Sequence, residues 1–255
     1  MSANDGEAIV KHILEQGRQR LSEHEAKLVL AAYGIPITRE QVVQDRDELA
    51  AALPSFGLPV VLKIDSPDIL HKTEAGLVEL NCRTAAEAEA AFDRLLQRAR
   101  EHRPEAKIDG VLVQEMLTDC TECIVGMRRD EQFGPTIMFG LGGIFVEVFG
   151  DVTLRVAPLT RADAEQMIRR VKGYKVLARA RGRPRANVEA IVDVLLKMSR
   201  LSLDLEDYVA EIDINPLMVP AGGSAKAADA LMLLSKTANG RYRNPAARQP
   251  TLRSA

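Results

Sequence analysis

Apolar positions in this chain recur at two spacings, and the switches between them divide it into elements. Ser22 stands three residues before Glu25, with Leu21 ahead and Ala26 behind, and Gly34 follows as a left-handed stop. This capping box with its apolar staple predicts a helix over 22–33. Thr84 and Glu87 open a second helix, along which Ala88, Ala91, Phe92, Leu95, Leu96 and Ala99 recur at helical spacing. Thr160 with Asp163 starts a third, and Asn187 caps a fourth that carries Ile191, Val194, Leu195 and Met198 on one face as far as Ser202. Between the helices, residues 60–64, 77–81, 111–115, 123–127, 136–139, 144–149 and 153–157 have the length and composition of strands. Several of these follow one another with no helix between them. That departs from β-α alternation and predicts an α+β (mixed α/β) class, with antiparallel or mixed sheets flanked by helices.

No period of about 20 to 50 residues repeats, which disfavours a solenoid. The 255 residues suffice for one large unit or two lobes, each able to bury a core. Lys and Arg number 34 against 36 Asp and Glu, a net charge of −2, so no excess points to nucleic acid or to an anionic membrane surface. The most apolar stretch, residues 137–150, holds four glycines and Glu147 and falls short of the roughly 20 residues a membrane span needs. The N-terminus is charged and has no apolar core, and there are only three cysteines, which together predict a soluble protein of the reducing cytoplasm. Residues 236–255 carry Lys236, Arg241, Arg243, Arg248 and Arg253 with no acid and almost no large apolar residue, a basic flexible tail.

The richest chemistry lies in residues 209–220. Strand alternation puts Glu211, Asp213 and Asn215 on one face and Ala210, Ile212 and Ile214 on the other. A half-exposed strand with its polar face in water reads the same way, so the decision falls to its neighbour. Residues 220–224 form a turn sequence and lead to a small-residue strand containing Asp229. A hairpin pivoting about Gly222 sets Asn215 opposite Asp229, with Cβ atoms about 5 Å apart. A carboxylate and an amide oxygen so placed are hard ligands suited to Mg²⁺, which takes one or two protein oxygens and completes its shell with phosphate and water. A two-residue Gly222-Gly223 turn would instead send Asp229 to the other face.

Lys63 sits in an apolar strand, where a lysine either snorkels to solvent or meets an anion such as phosphate. Eight residues on, His71 stands in a polar loop; a loop histidine is usually solvated, yet beside bound phosphate it could act as base or nucleophile. The cluster Phe139-Gly140-Leu141-Gly142-Gly143 lacks the Gly-Lys-Ser/Thr ending of a phosphate loop and reads better as a bend that another backbone approaches. Cys120 and Cys123 form a C-x-x-C with no second pair, which argues against zinc and redox roles.

Taken in order, Val61-Leu62-Lys63-Ile64, His71-Lys72-Thr73, Val113-Gln114-Glu115-Met116, Phe139 to Glu147, and Glu211-Ile212-Asp213-Ile214-Asn215-Pro216-Leu217 are arranged as in ATP-grasp proteins. More narrowly, the chain resembles the β subunit of ADP-forming (NDP-forming) acyl-CoA synthetases, among them acetate–CoA ligases, in the superfamily of succinyl-CoA synthetase. The likeness covers residues 15–235, and the His-Lys-Thr loop together with the Asn-Pro-Leu strand is far more specific than either alone. It implies an ATP-grasp domain over 1–235, with a lobe over 36–110 inserted within a lobe made of 10–35 and 111–235. It further implies that ATP or ADP is gripped between two sheets. Lys63 would contact the phosphates, Glu115, Met116 and Leu117 would form the adenine hinge largely through backbone, and Glu122 would meet the ribose hydroxyls. Asn215 and Asp229 match the Mg²⁺ ligands. His71 matches the histidine that accepts phosphate on a mobile loop, and Asp213 would orient or stabilise the phosphohistidine. One departure is that Ala75 precedes Gly76 where paired glycines are usual.

The resemblance also implies the reaction: acyl-CoA + ADP + phosphate ⇌ carboxylic acid + CoA + ATP, with the phosphoryl group relayed through histidine. CoA and the acid would be handled by a separate CoA-binding α subunit, in an α2β2 assembly. Two other functions stay open on the residues: a non-catalytic ATP-binding regulatory partner, and an ATP-grasp carboxylate–amine ligase, which needs no histidine. His71 separates them.

Overall fold

A computed structural model describes residues 2–69, 72–143, 150–178 and 186–235. The chain opens with two helices, α1 (Ala3–Glu15) and α2 (Glu23–Ala32), and then enters a four-stranded sheet made of β1 (Glu40–Val43), β2 (Val60–Asp65), β3 (Val78–Cys82) and β4 (Gly110–Glu115). The order is β1-β4-β2-β3, with every neighbour antiparallel. Helices α3 (Arg46–Phe56) and α4 (Ala85–His102) cover one face, where Leu49, Leu53, Phe92 and Leu95 pack on Val43, Leu62, Ile64, Val111 and Val113. Because β4 belongs to this sheet, the first sheet runs through Glu115.

The remaining strands are β5 (Thr121–Asp130), β6 (Gly134–Leu141), β7 (Val152–Val156), β8 (Val209–Val219), β9 (Lys226–Ala227) and β10 (Ala230–Leu234). They form a second antiparallel sheet of order β10-β8-β5-β6-β7, with β9 paired to β8. Helices α5 (Arg161–Arg170), α6 (Tyr174–Ala178) and α7 (Val188–Asp204) follow β7. With α1 and α2 they bury one face of this sheet: Val10, Leu30, Ile168, Ile191 and Leu195 meet Val125, Met127, Phe139, Ile212 and Ile214. The opposite face stays open.

The local chemistry explains the boundaries. Ser22 and Glu25 make the expected reciprocal cap: the hydroxyl accepts from Glu25 N at 3.3 Å, the carboxylate accepts from Ser22 N at 2.7 Å, and Gly34 follows at φ 77°. Thr84, Thr160 and Asn187 cap α4, α5 and α7 as their spacing predicts. Three helices escape the sequence reading. Two carry signals: Ser2 with Asp5 forms a capping box ahead of Val10 and Ile13, and Asp45 caps Glu48 ahead of Leu49, Ala52 and Leu53; the third, α6, has only 5 residues. The expected strand over 144–149 lies outside the described residues, as does the basic segment 236–255. Among the described residues, no helix is long and apolar enough to cross a membrane.

The hairpin register follows the pivot at Gly222. Ala230 pairs with Ile214, Leu231 with Asp213, Leu217 with Ala227 and Met218 with Lys226, so each pair sums to 444. Between these pairs Asn215 N donates to the Asp229 carbonyl at 3.3 Å. Against β5, residues Asn215 and Pro216 together oppose the single residue Ile124, a bulge that accommodates a proline inside a strand.

Candidate functional site

A cavity of about 330 Å³ opens where the two sheets face each other. Val61, Lys63, Val78 and Leu80 line it from the first sheet; Asn215, Pro216, Met218 and Asp229 line it from the second; Glu115, Met116, Leu117 and Glu122 form the connection between them. Seven of the residues singled out in the sequence, spread from Lys63 to Asp229, therefore line one cavity. The lining mixes apolar side chains with a few convergent polar groups, the usual composition of a small-molecule pocket.

Each polar group is held by its element. β2 is buried along its length and Lys63 is 5 % exposed, so its ammonium must find acceptors inside the protein. Lys63 Nζ donates to Glu23 Oε1 at 2.8 Å and to the Ala228 carbonyl at 2.8 Å, with Asp229 Oδ2 at 3.5 Å. Burial opposes the charged form, but the Glu23 and Asp229 carboxylates outweigh it and hold the ammonium well above the ordinary lysine range. Glu23 itself is contacted by three ammonium groups: Lys27 Nζ at 2.7 Å, Lys63 Nζ at 2.8 Å and Lys72 Nζ at 2.6 Å. Burial alone would raise its carboxyl; the three lysines hold it well below the usual carboxylate value.

At the connection, the Glu115 side chain faces protein partners. Its oxygens accept from Arg39 N and Nε, each at 2.9 Å, and from Lys226 Nζ at 2.6 Å. Its backbone N–H donates to the Arg39 carbonyl at 3.0 Å. Glu122 is exposed into the cavity, and Gly142 packs directly behind it: Gly142 N donates to the Glu122 carbonyl at 2.9 Å, and a Cβ on Gly142 would stand 3.0 Å from Glu122 Cβ. The glycine cluster thus serves a close backbone approach, as its pattern predicts.

Asp213 lies two residues from Asn215 on the same open face, but it lines a different space. A groove of about 870 Å³ runs across the second sheet past Gly126, Arg128, Met138, Leu154, Glu211 and Asp213. Asp213 faces Gly126, which has no side chain to offer, and its buried Oδ1 has no hydrogen-bond partner. Burial, with the charges of Glu211 and Asp229 behind it, pushes its carboxyl up to about 6. With a folded value above the unfolded one, the acid form favours the fold, and that stability is lost as pH rises from the unfolded value towards 6. Asp213→Asn is therefore expected to match the parent in thermal stability near pH 3.5 and to exceed it at pH 8 by on the order of 1–2 kcal/mol, allowing for solvent screening. Melting curves at the two pH values check this.

His71 lies outside the described residues; its neighbours Lys72 and Thr73 are inside, Lys72 on Glu23 and Thr73 on the cavity wall. Of the C-x-x-C pair, Cys123 is fully buried with its thiol pushed up to about 12 by burial, and Cys120 is a free thiol. Among the described residues no cluster of three or more His, Cys, Asp or Glu side chains is arranged to hold a metal. Asn215 and Asp229 offer two hard oxygens, which fits an ion that draws the rest of its shell from phosphate and water. Sequence reasoning passed over Glu23, Lys27 and the ion pair of Glu115 with Lys226. Glu23 and Lys27 sit at i and i+4 on α2, a spacing that is ordinarily a solvated helix pair.

The ATP-grasp domain family matches residues 12–234. The acetate–CoA ligase [ADP-forming] II subunit beta of Pyrococcus furiosus is 46% identical over 232 residues, which cover 90% of this chain and 98% of that protein. Among solved structures, the acetyl-coenzyme A synthetase 1 of Ca. Korarchaeum cryptofilum in complex with coenzyme A and Ca-AMPCP superposes with a TM-score of 0.86 at 42% identity, covering 89% of this chain and 99% of that one. A second structure of that enzyme, with coenzyme A and Mg-AMPPCP and its phosphohistidine segment pointing towards the nucleotide binding site, has a TM-score of 0.78 at 40% identity, covering 90% of this chain and 100% of that one.

Proposed function

We propose, from the premise that this chain belongs to the ATP-grasp domain family and within it to the β subunits of ADP-forming acetate–CoA ligases, that the cavity between its sheets is where phosphoryl passes between ADP or ATP and histidine. The protein is the nucleotide-binding subunit of an ADP-forming acyl-CoA synthetase, working in acyl-CoA + ADP + phosphate ⇌ carboxylic acid + CoA + ATP. ATP or ADP with Mg²⁺ is its cofactor pair. The observation that carries the site assignment is the single cavity in which Lys63, Glu115 to Leu117, Glu122, Asn215 and Asp229 meet.

In this reading the apolar walls at Val61, Val78, Leu80 and Met218 receive the base. Since the Glu115 N–H is already given to Arg39, base recognition falls to the Glu115 carbonyl and the backbone of Met116 and Leu117. Glu122, exposed at the rim, accepts from the ribose hydroxyls. Lys63 places its ammonium at the phosphate end, where it stabilises charge on the phosphoryl group in transit. Asn215 and Asp229 would hold Mg²⁺, which when bound neutralises charge on the phosphate oxygens. His71 is the phosphoryl carrier: from ATP, its neutral imidazole attacks the γ-phosphorus, the N–P bond forming as the bond to the bridging oxygen breaks and ADP leaves, and in the direction of ATP formation the N–P bond breaks as an ADP oxygen takes the phosphoryl group. Asp213, with an unpartnered oxygen in the adjoining groove, is suited to accept from the other ring nitrogen of a phosphohistidine. The β-subunit relatives imply a partner subunit; a CoA-binding α chain in an α2β2 assembly is the partner we propose.

The test is labelling. Chain incubated with γ-labelled ATP and Mg²⁺ is expected to acquire an acid-labile, alkali-stable phosphate, the signature of phosphohistidine. Asn215→Ala and Asp229→Ala should each weaken binding of the Mg-nucleotide by about 10-fold or more while leaving metal-free nucleotide affinity within about threefold, since one ligand of a weakly held ion is lost. Titration calorimetry with and without Mg²⁺ separates this from misfolding, which would weaken both alike.

A further inference from the structure

Among the described residues Glu23 is the one carboxylate that meets three ammonium groups, and the reaction as described gives it no part. Its side chain is 1 % exposed and stands at the start of α2, a helix packed on the second sheet. The three ammonium groups it meets come from three places: Lys27 from α2 itself, Lys63 from β2 of the first sheet, and Lys72 from the loop between β2 and β3. Their contacts divide the labour. Lys27 has further partners in Glu40 Oε2 at 2.6 Å and Gln114 Oε1 at 2.8 Å, and Lys63 has the Ala228 carbonyl and Asp229. Lys72 is 9 % exposed at its side chain and donates to Glu23 Oε2.

We propose that Glu23 is a positioning residue: one carboxylate holds Lys63 at the phosphate end of the cavity and, through Lys72, fastens the loop that follows residue 71 beside it. The two oxygens are split for this purpose, Oε1 on Lys63 and Lys27, Oε2 on Lys72. The loop closes on the same residue, because Lys72 supplies the carbonyl that accepts from Leu77 N at 2.8 Å, and Gly76 N donates to the Thr73 carbonyl at 3.1 Å. Thr73 then lines the cavity that Lys63 lines. A tether at Lys72 matters because phosphoryl transfer needs donor and acceptor atoms within a few tenths of an ångström of alignment, and a misplacement of about 1 Å can cost about 100-fold. The inference rests on the assignment of His71 as carrier for its kinetic consequence, but the tether itself is independent of that assignment.

The experiment has two arms. Hydrogen exchange on the wild-type chain, Glu23→Gln and Lys72→Met reads the tether directly: amides of 73–77 are expected to exchange about 10-fold faster or more in both variants. Single-turnover labelling by ATP reads the consequence. Both variants should label about 10- to 100-fold more slowly; Lys72→Met should keep nucleotide affinity within about threefold of wild type, whereas Glu23→Gln, which also frees Lys63, should bind more weakly, and the double variant should be no slower than Glu23→Gln, because the Lys72 contact is already lost there. A purely structural role for Glu23 would lower affinity and rate together and leave Lys72→Met at the wild-type rate. Unchanged loop exchange in Lys72→Met overturns the proposal, as does additive slowing in the double variant. If Glu23→Gln does not fold, Lys72→Met decides alone. If wild type takes no label, the carrier reading fails, and the exchange arm still decides whether the tether exists.

Discussion

His71→Asn is expected to abolish acyl-CoA synthesis by the chain and its partner while leaving nucleotide binding within about threefold of wild type. Asn keeps a polar side chain of similar reach but has no ring nitrogen able to form and release an N–P bond, so the relay loses its carrier. Affinity, in contrast, is lodged in the cavity walls, the connection at Glu115 to Leu117 and the phosphate end at Lys63, and the variant touches none of them. A drop of at least about a thousandfold in turnover with nearly constant nucleotide affinity is the expected split, the pattern of an interaction used in the chemical step and not in binding. Coupled assay of the reconstituted complex, beside calorimetry on the chain, measures both. Turnover near the wild-type level in the variant would remove the relay and favour direct transfer to a substrate carboxylate, the mechanism of an ATP-grasp carboxylate–amine ligase.

Much of the site is legible in the sequence because it is written in short segments with strong local rules. Parity alone leaves two registers for the β8 hairpin, one pivoting about Gly222 and one turning at Gly222-Gly223; only the first opposes Asn215 to Asp229, and the observed pairs keep its sum. The caps of α2, α4, α5 and α7 are equally local, each a side chain bonding an amide three residues on. Partnership at a distance has no such local signal. Lys63 in an apolar strand asks for an anion, but nothing within its own segment names Glu23, which is 40 residues earlier on a helix of the other sheet's core. Lys72 reads only as part of a loop motif, and Glu115 only for its backbone, although its carboxylate ties Arg39 to Lys226. The bulge at Asn215 and Pro216 is intermediate: proline in a strand signals a break, but which residue of β5 it opposes is a fact of pairing.

The charge cluster also decides what happens when its central lysine is removed. Lys63→Met preserves chain length and apolar packing but deletes the ammonium, leaving Glu23 with Lys27 and Lys72 and leaving Asp229 without the lysine. Removing one partner of a buried ion pair costs about 3–5 kcal/mol because the remaining charge is stranded; here Glu23 keeps two lysines, so the lower end of that range is expected. The functional loss should be separate and large. Without a fixed cation at the phosphate end, Mg-nucleotide affinity is expected to fall by at least about 30-fold, or about 2 kcal/mol, the scale of a charge-assisted contact. Stability and affinity can be pulled apart by a second change. In Lys63→Met with Glu23→Gln the lost positive charge is matched by a lost negative one, but Lys72 gives up its carboxylate partner, so denaturant midpoints should recover only in part, while nucleotide affinity should stay as low as in Lys63→Met alone. Lys63→Arg makes the complementary point: the charge remains, but a planar fork does not fit a pocket built around a compact ammonium with acceptors at Glu23 Oε1 and the Ala228 carbonyl, so affinity should fall despite the conserved sign. Recovery of affinity in the double variant would mean that Lys63 serves Glu23 alone, and that the phosphate end of the cavity takes its positive charge from another residue.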